Sequence, residues 1–115
     1  MHEYSLVQAL FDQTDRSIAE HPPAAVRKLR VRIGELAGVE VASFRSAFEL
    51  CRAERGYDAA ELEVVDEPAA WKCTQCELSV PRGALLGCEA CGGQVRLVRG
   101  GELFLDRIEL EVSDV

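Results

Sequence analysis

Two Cys-x-x-Cys hooks restrict this chain more than any other feature: Cys73-Thr74-Gln75-Cys76 and, after eleven residues, Cys88-Glu89-Ala90-Cys91. Four thiolates spaced this way can close a tetrahedron around one divalent ion, and zinc is the default occupant of such a donor set. Two disulfides are the alternative use of four cysteines, and rubredoxin-like iron is a third. An iron site of that kind favours a glycine after each hook, which turns the backbone and aims amides at sulfur. Gly92 and Gly93 follow the second hook, but Glu77 follows the first. The reading is therefore zinc. A four-cysteine site leaves no open position for water or substrate, so its work is structural. It replaces a core that the ~20 residues around it are too poor in apolar mass to build.

At 115 residues with 48% hydrophobic content, the chain can bury one modest core beside this stapled segment. No apolar run approaches the ~20 residues of a membrane span, and no signal-peptide pattern is present. Both observations imply a cytoplasmic protein with no membrane association, where thiols stay reduced. The formal charge of −7 opposes binding to phosphate backbones.

Residues 1–21 read as an amphipathic helix. Tyr4, Val7, Leu10, Phe11, Thr14 and Ile18 follow one face, while Asp12, Asp15, Arg16 and Glu20 occupy the other. Pro22-Pro23 is expected to stop the helix, leaving His21 facing solvent at its end. Leu29, Val31 and Ile33 then alternate with Lys28, Arg30 and Arg32, the pattern of a strand with one dry face. That basic face reads as solvated, with a docking surface for an acidic partner as the sharper alternative. A second helix is expected from Val41 to about Arg55, with Phe44, Ala47, Phe48 and Cys51 inward and Gly56 in the C′ position. Cys51 reads as a small core residue. A strand over Ala60–Glu67 follows, Pro68 and Gly100-Gly101 read as hinges, and the chain ends on ELFLDRIELEV. The apolar phase of that last strand slips at Asp106-Arg107, which predicts a bulge or tight turn. The expected fold class is α+β: two helices on a small three-stranded sheet, with an inserted zinc-ribbon module over residues 68–101. Residues 1–67 and 102–115 form the other domain.

The chain opens Met1-His2-Glu3. A bulky second residue normally keeps the initiator methionine in place. The Met1 α-amine, the His2 imidazole and the backbone nitrogens of His2 and Glu3 offer four donors in a plane, a set suited to Ni(II) or Cu(II). The first amides of a helix have no intrahelical acceptor, so a metal could take them without breaking the ladder. Residue chemistry alone favours a frayed terminal histidine over a metal ligand.

MHEYSLVQAL, RVRIGELAGVEVASFRSAFEL, the Trp71-x-Cys73 approach to the paired hooks, and ELFLDRIELEV together resemble the HypA/HybF family of nickel-incorporation factors for [NiFe]-hydrogenase maturation. The resemblance covers nearly the whole chain and implies a nickel-binding domain over 1–67 and 102–115. It implies Ni(II) at Met1, His2 and Glu3, and zinc on Cys73, Cys76, Cys88 and Cys91. The implied partners are a nickel-delivering maturation GTPase and the hydrogenase large-subunit precursor; in some members the same system supplies urease. Two departures stand out. The second hook lacks the proline often found in the family, and the cysteine segment has no histidine.

A non-enzymatic nickel carrier, monomeric or weakly dimeric, is accordingly the expected function. A zinc-ribbon module binding protein or nucleic acid is the alternative. Charge opposes nucleic acid, and so does the lack of aromatics interleaved with Lys and Arg near the hooks. An enzyme ranks last, because no nucleophile–base pair or open metal position is visible. Docking to partners is expected on the first helix near the metal, with Asp12 and Asp15 on its exposed face.

Overall fold

The computed structural model describes residues 2–80, 87–88 and 90–112. Its elements run α1 (His2–Ile18), β1 (Val26–Gly34), α2 (Val41–Cys51), β2 (Glu61–Glu67), β3 (Ala70–Cys73), β4 (Ser79–Val80), β5 (Val95–Arg99) and β6 (Leu103–Leu110). They form two three-stranded sheets, ordered β2-β1-β6 and β4-β3-β5. In the first sheet β1 is central, parallel to β2 and antiparallel to β6. A parallel neighbour cannot be reached by a hairpin, and α2 supplies the crossover. The second sheet is antiparallel throughout and carries the first cysteine hook.

Both helices lie on one face of the first sheet, as the apolar spacing predicts. Val7, Leu10, Phe11, Thr14 and Ile18 of α1 and Phe44, Ala47, Phe48 and Cys51 of α2 are buried against Leu29, Val31 and Ile33. Phe11 stacks between Phe48 and Tyr57, with ring centroids 5.3 and 4.9 Å away. Each large side chain buried this way contributes roughly 1.5–3 kcal/mol, so this layer holds the helices down. The buried Thr14 hydroxyl is satisfied by the Leu10 carbonyl at 2.8 Å. Tyr4 departs from the expected stripe and is 41% exposed. It sits on the rim of the stripe, close enough to Cys51 for that thiol to push the Tyr4 hydroxyl pKa up.

Helix ends differ from the proline-based expectation. α1 stops at Ile18, before the Pro pair, because Ala19 turns into the left-handed region at φ 53°. At the other helix, regular α-structure ends at Cys51, but turns continue to Gly56 at φ 86°. Tyr57 N–H donates to the Arg52 carbonyl (2.8 Å) and Gly56 N–H to Ala53 (3.2 Å), the two bonds of a Schellman closure. Gly56 therefore sits where the sequence places it, at the end of a looser last turn.

Asp12 and Asp15 are solvent-facing but not free. Arg55 reaches back from the end of α2 to both, at 2.7 and 2.9 Å, and the Tyr57 hydroxyl donates to Asp15. Both acids lie on the exposed face as expected, but they are tied to Arg55 and Tyr57, so reversing either charge strikes the fold as well as any docking there. Burial works against ionising Asp15, but the Tyr57 hydroxyl and Arg55 outweigh it and hold its carboxyl below the usual range. A depressed carboxyl adds stability above the ordinary carboxylate pKa, and that contribution is lost as pH falls through the folded value. Tyr57→Phe keeps the stacked ring but removes the donor. It is expected to cost about 1 kcal/mol at neutral pH, after allowance for solvent on the Asp15 side of the pair. The gap from the parent protein should narrow below the carboxylate range, as read from urea melts at neutral and strongly acid pH.

The basic face of β1 is neutralised locally. Arg30 bonds Glu63 at 2.7 Å and Arg32 bonds Asp106 at 3.1 Å, so two of the three cations of this row are paired within the sheet. Asp106 reaches it because of the predicted phase slip. Arg30 lies opposite Arg107 and Val31 opposite Leu105, leaving Asp106 as the extra residue of a β-bulge.

The segments expected as hinges are tied to the turn after β1. Leu36 N–H donates to the Gly100 carbonyl (2.7 Å), Gly34 N–H to Glu102 (2.9 Å) and Glu35 N–H to Glu67 (2.9 Å). The Glu35 carboxylate in turn accepts from Ala69 N–H at 2.8 Å. Glu67 accepts from Gly100 N–H at 3.2 Å. A Cβ on Gly34 would stand 2.3 Å from the Gly100 carbonyl carbon, so only two glycines permit this crossing. Neither joining segment is a loose linker.

Candidate metal centre

The two hooks fold into the same turn. Glu77 N–H donates to the Cys73 carbonyl and Gly92 N–H to Cys88, while Cys73 N–H donates to Leu78 and Cys88 N–H to Gly93. Each turn needs a left-handed residue at its fifth position, and these are Glu77 at φ 62° and Gly92 at φ 72°. Glu77 thus adopts the conformation for which glycine was expected, at a strain of about 1–2 kcal/mol. The argument against iron drawn from Glu77 is thereby corrected, since the knuckle forms without a glycine. The preference for zinc rests on the four-thiol donor set alone.

All four sulfurs lie within 4.8 Å of one another. Cys73 and Cys91 Sγ are 3.4 Å apart, Cys76 and Cys88 3.6 Å, and Cys76 and Cys91 3.9 Å. Bonds of ~2.3 Å to a central ion would give tetrahedral edges of about 3.8 Å, so the cluster fits one ion. No pair is close enough for a disulfide, and all five cysteines are free. Cys73 and Cys88 are buried, whereas Cys76 and Cys91 face outward.

Backbone amides aim at the sulfurs. Those of Cys76 and Gln75 stand 3.5 and 3.4 Å from Cys73 Sγ and hold this thiol down at about 6. For Cys91 the Gly93 amide pulls the same way but is outweighed by the Cys73 sulfur, desolvation and the other two thiols, which push it up to about 12. Four sulfurs at this spacing cannot all ionise unless a cation sits among them, and a divalent ion removes the conflict. From the sequence, Gly93 is expected to turn the backbone and aim an amide at sulfur. It also backs the cluster, since a Cβ there would stand 3.2 Å from both Cys73 and Cys91 Sγ.

The other candidate residues are not gathered into this cluster. Met1 and the His2 side chain lie outside the described residues; α1 begins at His2. The Glu3 carboxylate accepts from Glu40 N–H at 3.3 Å, and Glu40 itself caps α2 by accepting from Ala42 N–H at 2.9 Å. His21 is exposed, and Cys51 is a core residue touched by Gln8 Nε2 at 3.4 Å. Among the described residues, no helix is long and apolar enough to cross a membrane.

Fold and site together define a small α+β protein with a closed four-thiol metal centre. Residues 1–110 match the family described as hydrogenase/urease nickel incorporation, metallochaperone, hypA. The chain belongs to the HypA family. It is 35% identical over 112 residues to the hydrogenase maturation factor HypA of Nitrosospira multiformis, covering 96% of this chain and 97% of that one. Its identity to the same factor of Wolinella succinogenes is 33% over 117 residues, covering 99% and 98%. The solution structure of the nickel metallochaperone HypA from Helicobacter pylori is similar at TM-score 0.68 and 30% identity, covering 96% of this chain and 98% of that one. A second solution structure of a HypA protein aligns at TM-score 0.74 and 30% identity, covering 96% and 97%.

Proposed function

We propose that this chain binds Ni(II) at its amino terminus and passes it toward the [NiFe]-hydrogenase large-subunit precursor during maturation, working with a nickel-delivering GTPase in the cytoplasm. The observation that carries the proposal is that the family match begins at Met1 and takes in Met1-His2-Glu3 together with both hooks. The Met1 α-amine, the His2 imidazole and the amides of His2 and Glu3 are the donors. Their position at the start of α1 supports this, because amides in a first helical turn have no intrahelical acceptor to lose. Zinc on Cys73, Cys76, Cys88 and Cys91 holds the cysteine segment folded and takes no part in transfer. Residues 68–101 form an inserted module, and residues 1–67 with 102–115 form the nickel-binding domain. The chain acts by carrying metal rather than by catalysis, as a monomer or weak dimer, and delivery to urease is the second outlet of the same cargo.

Calorimetric Ni(II) titration of the intact protein, of His2→Ala, and of a variant with one residue added before Met1 tests this reading. Loss of an outer-shell partner lowers affinity 10–100-fold, so loss of a ligand should lower it by more than about 100-fold. The added residue should do comparable damage by moving the free amine out of chelate reach. Zinc content and helix content should not change. Binding should also weaken steeply on acidification, because protons compete for the same nitrogens. Undiminished Ni(II) affinity in both variants would end the amino-terminal model.

A further inference from the structure

The second sheet has two unlike faces. Trp71, Val80 and Leu97 stand opposite one another in register on one face, and Lys72, Ser79 and Arg96 on the other. A register shift after Ala70 pairs that residue with Arg99, so Arg99 joins Lys72 and Arg96 on the polar face. Lys72 and Arg96 lie directly opposite, a like-charge pair that weakens a sheet unless something anionic relieves it. Glu77, 3.3 Å from Arg96, is the one carboxylate ion-paired to this row among the described residues. Asp66 and Glu67 share a recess with Arg99 without pairing with it. By contrast, Arg30 and Arg32 on the outer face of the first sheet are both bonded to acids.

Charge is unevenly divided along the chain. Residues 68–101 hold four cations (Lys72, Arg82, Arg96, Arg99) and two acids (Glu77, Glu89), a balance of +2, so the −7 of the whole chain leaves −9 on the rest. We propose that the Lys72-Arg96-Arg99 face is a docking surface for an acidic segment of a partner protein. Two features favour a polypeptide over a nucleic acid. Trp71 lies on the opposite face, so bases have no platform for stacking. The strongly negative remainder of the chain repels a long polyanion but tolerates a short acidic stretch held at one end. The inference does not depend on where nickel binds.

A fluorescein-labelled oligoglutamate peptide, followed by anisotropy at low salt against the full-length zinc-loaded protein, tests the proposal. A molecule at −7 repels this probe overall, so binding must come from a local surface. Arg99→Glu and the Lys72→Glu/Arg99→Glu pair are expected to weaken binding by about tenfold or more, with reduced salt dependence. Arg45→Glu, which reverses an exposed cation on α2, should change it by less than about twofold. Zinc is measured in each variant, because Lys72 adjoins Cys73, whereas Arg99 lies eight residues beyond Cys91. No peptide binding, or equal binding by the parent and Arg99→Glu, would overturn the proposal. So would a DNA oligonucleotide of equal charge that bound more tightly through the same row.

Discussion

Cys73→Ala is expected to reduce the zinc content from about one ion per chain to none and to unfold the second sheet. Structural zinc contributes an apparent ~10–16 kcal/mol of folding free energy at neutral pH, more than the few apolar side chains of that sheet can replace. Cys73 is fully buried, receives two amides, and sits at the end of β3, so its sulfur joins the centre to the sheet. Without the ion, the left-handed Glu77 and the like-charged Lys72–Arg96 pair lose what holds them in place. The helices and first sheet keep a separate core built on Phe11, Phe44, Phe48 and Tyr57. Hydrogen exchange should therefore show amides of residues 70–99 losing protection while α1, α2 and β1 retain theirs. Metal analysis supplies the decisive number. One zinc retained per chain in Cys73→Ala would refute the four-cysteine assignment.

Gly100→Ala should produce a large loss of stability without removing any ligand. At φ 86° the substitution incurs left-handed strain of about 1–2 kcal/mol. The new Cβ would also stand 2.6 Å from Ala69 Cα and 2.8 Å from its nitrogen, both backbone atoms that cannot swing aside. Overpacking of this kind costs a further ~1–3 kcal/mol. The backbone shift that relieves it must break the Leu36–Gly100 or Gly100–Glu67 hydrogen bond. Gly38→Ala separates the two effects, because Gly38 shares the positive φ at 73° but has nothing within 4 Å. Urea melts should place Gly100→Ala at roughly twice the loss of Gly38→Ala or more. Comparable losses would show that conformation alone, and not the close crossing, sets the glycine requirement.

Periodicity and donor spacing made most of this molecule legible in the sequence. The three-and-four spacing from Val7 to Ile18 and the alternation of Leu29, Val31 and Ile33 each identify a face without reference to any distant residue. The slip at Asp106 was visible for the same reason, since a bulge shifts an alternating pattern by one. The features that sequence reading missed depend on partners far along the chain or on backbone angles. Asp15 is held by a residue 40 positions away, and nothing near it in sequence announces Arg55. Ala19 and Glu77 adopt angles their side chains disfavour, imposed by closure of the surrounding turns. The joint between the sheets shows the same limit: Gly100 looks like a swivel until Gly34 is found against it. The hooks announce a four-thiol cluster by spacing alone, whereas the reading proposed for Met1-His2-Glu3 leans on the family resemblance.

The bulge at Asp106 also bears on aggregation. β6 is an edge of the first sheet, and an edge strand offers unpaired amides and carbonyls on which another chain can template. An unbroken edge would present a regular ladder along Leu103–Leu110. The extra residue interrupts that ladder near its middle and places a carboxylate there, held by Arg32. On the far edge, β2 carries four acids in seven residues (Glu61, Glu63, Asp66 and Glu67), so two copies aligned in parallel register would set acids against acids. Both margins of the first sheet therefore resist backbone pairing between copies, and association of copies through that sheet must be written in side chains.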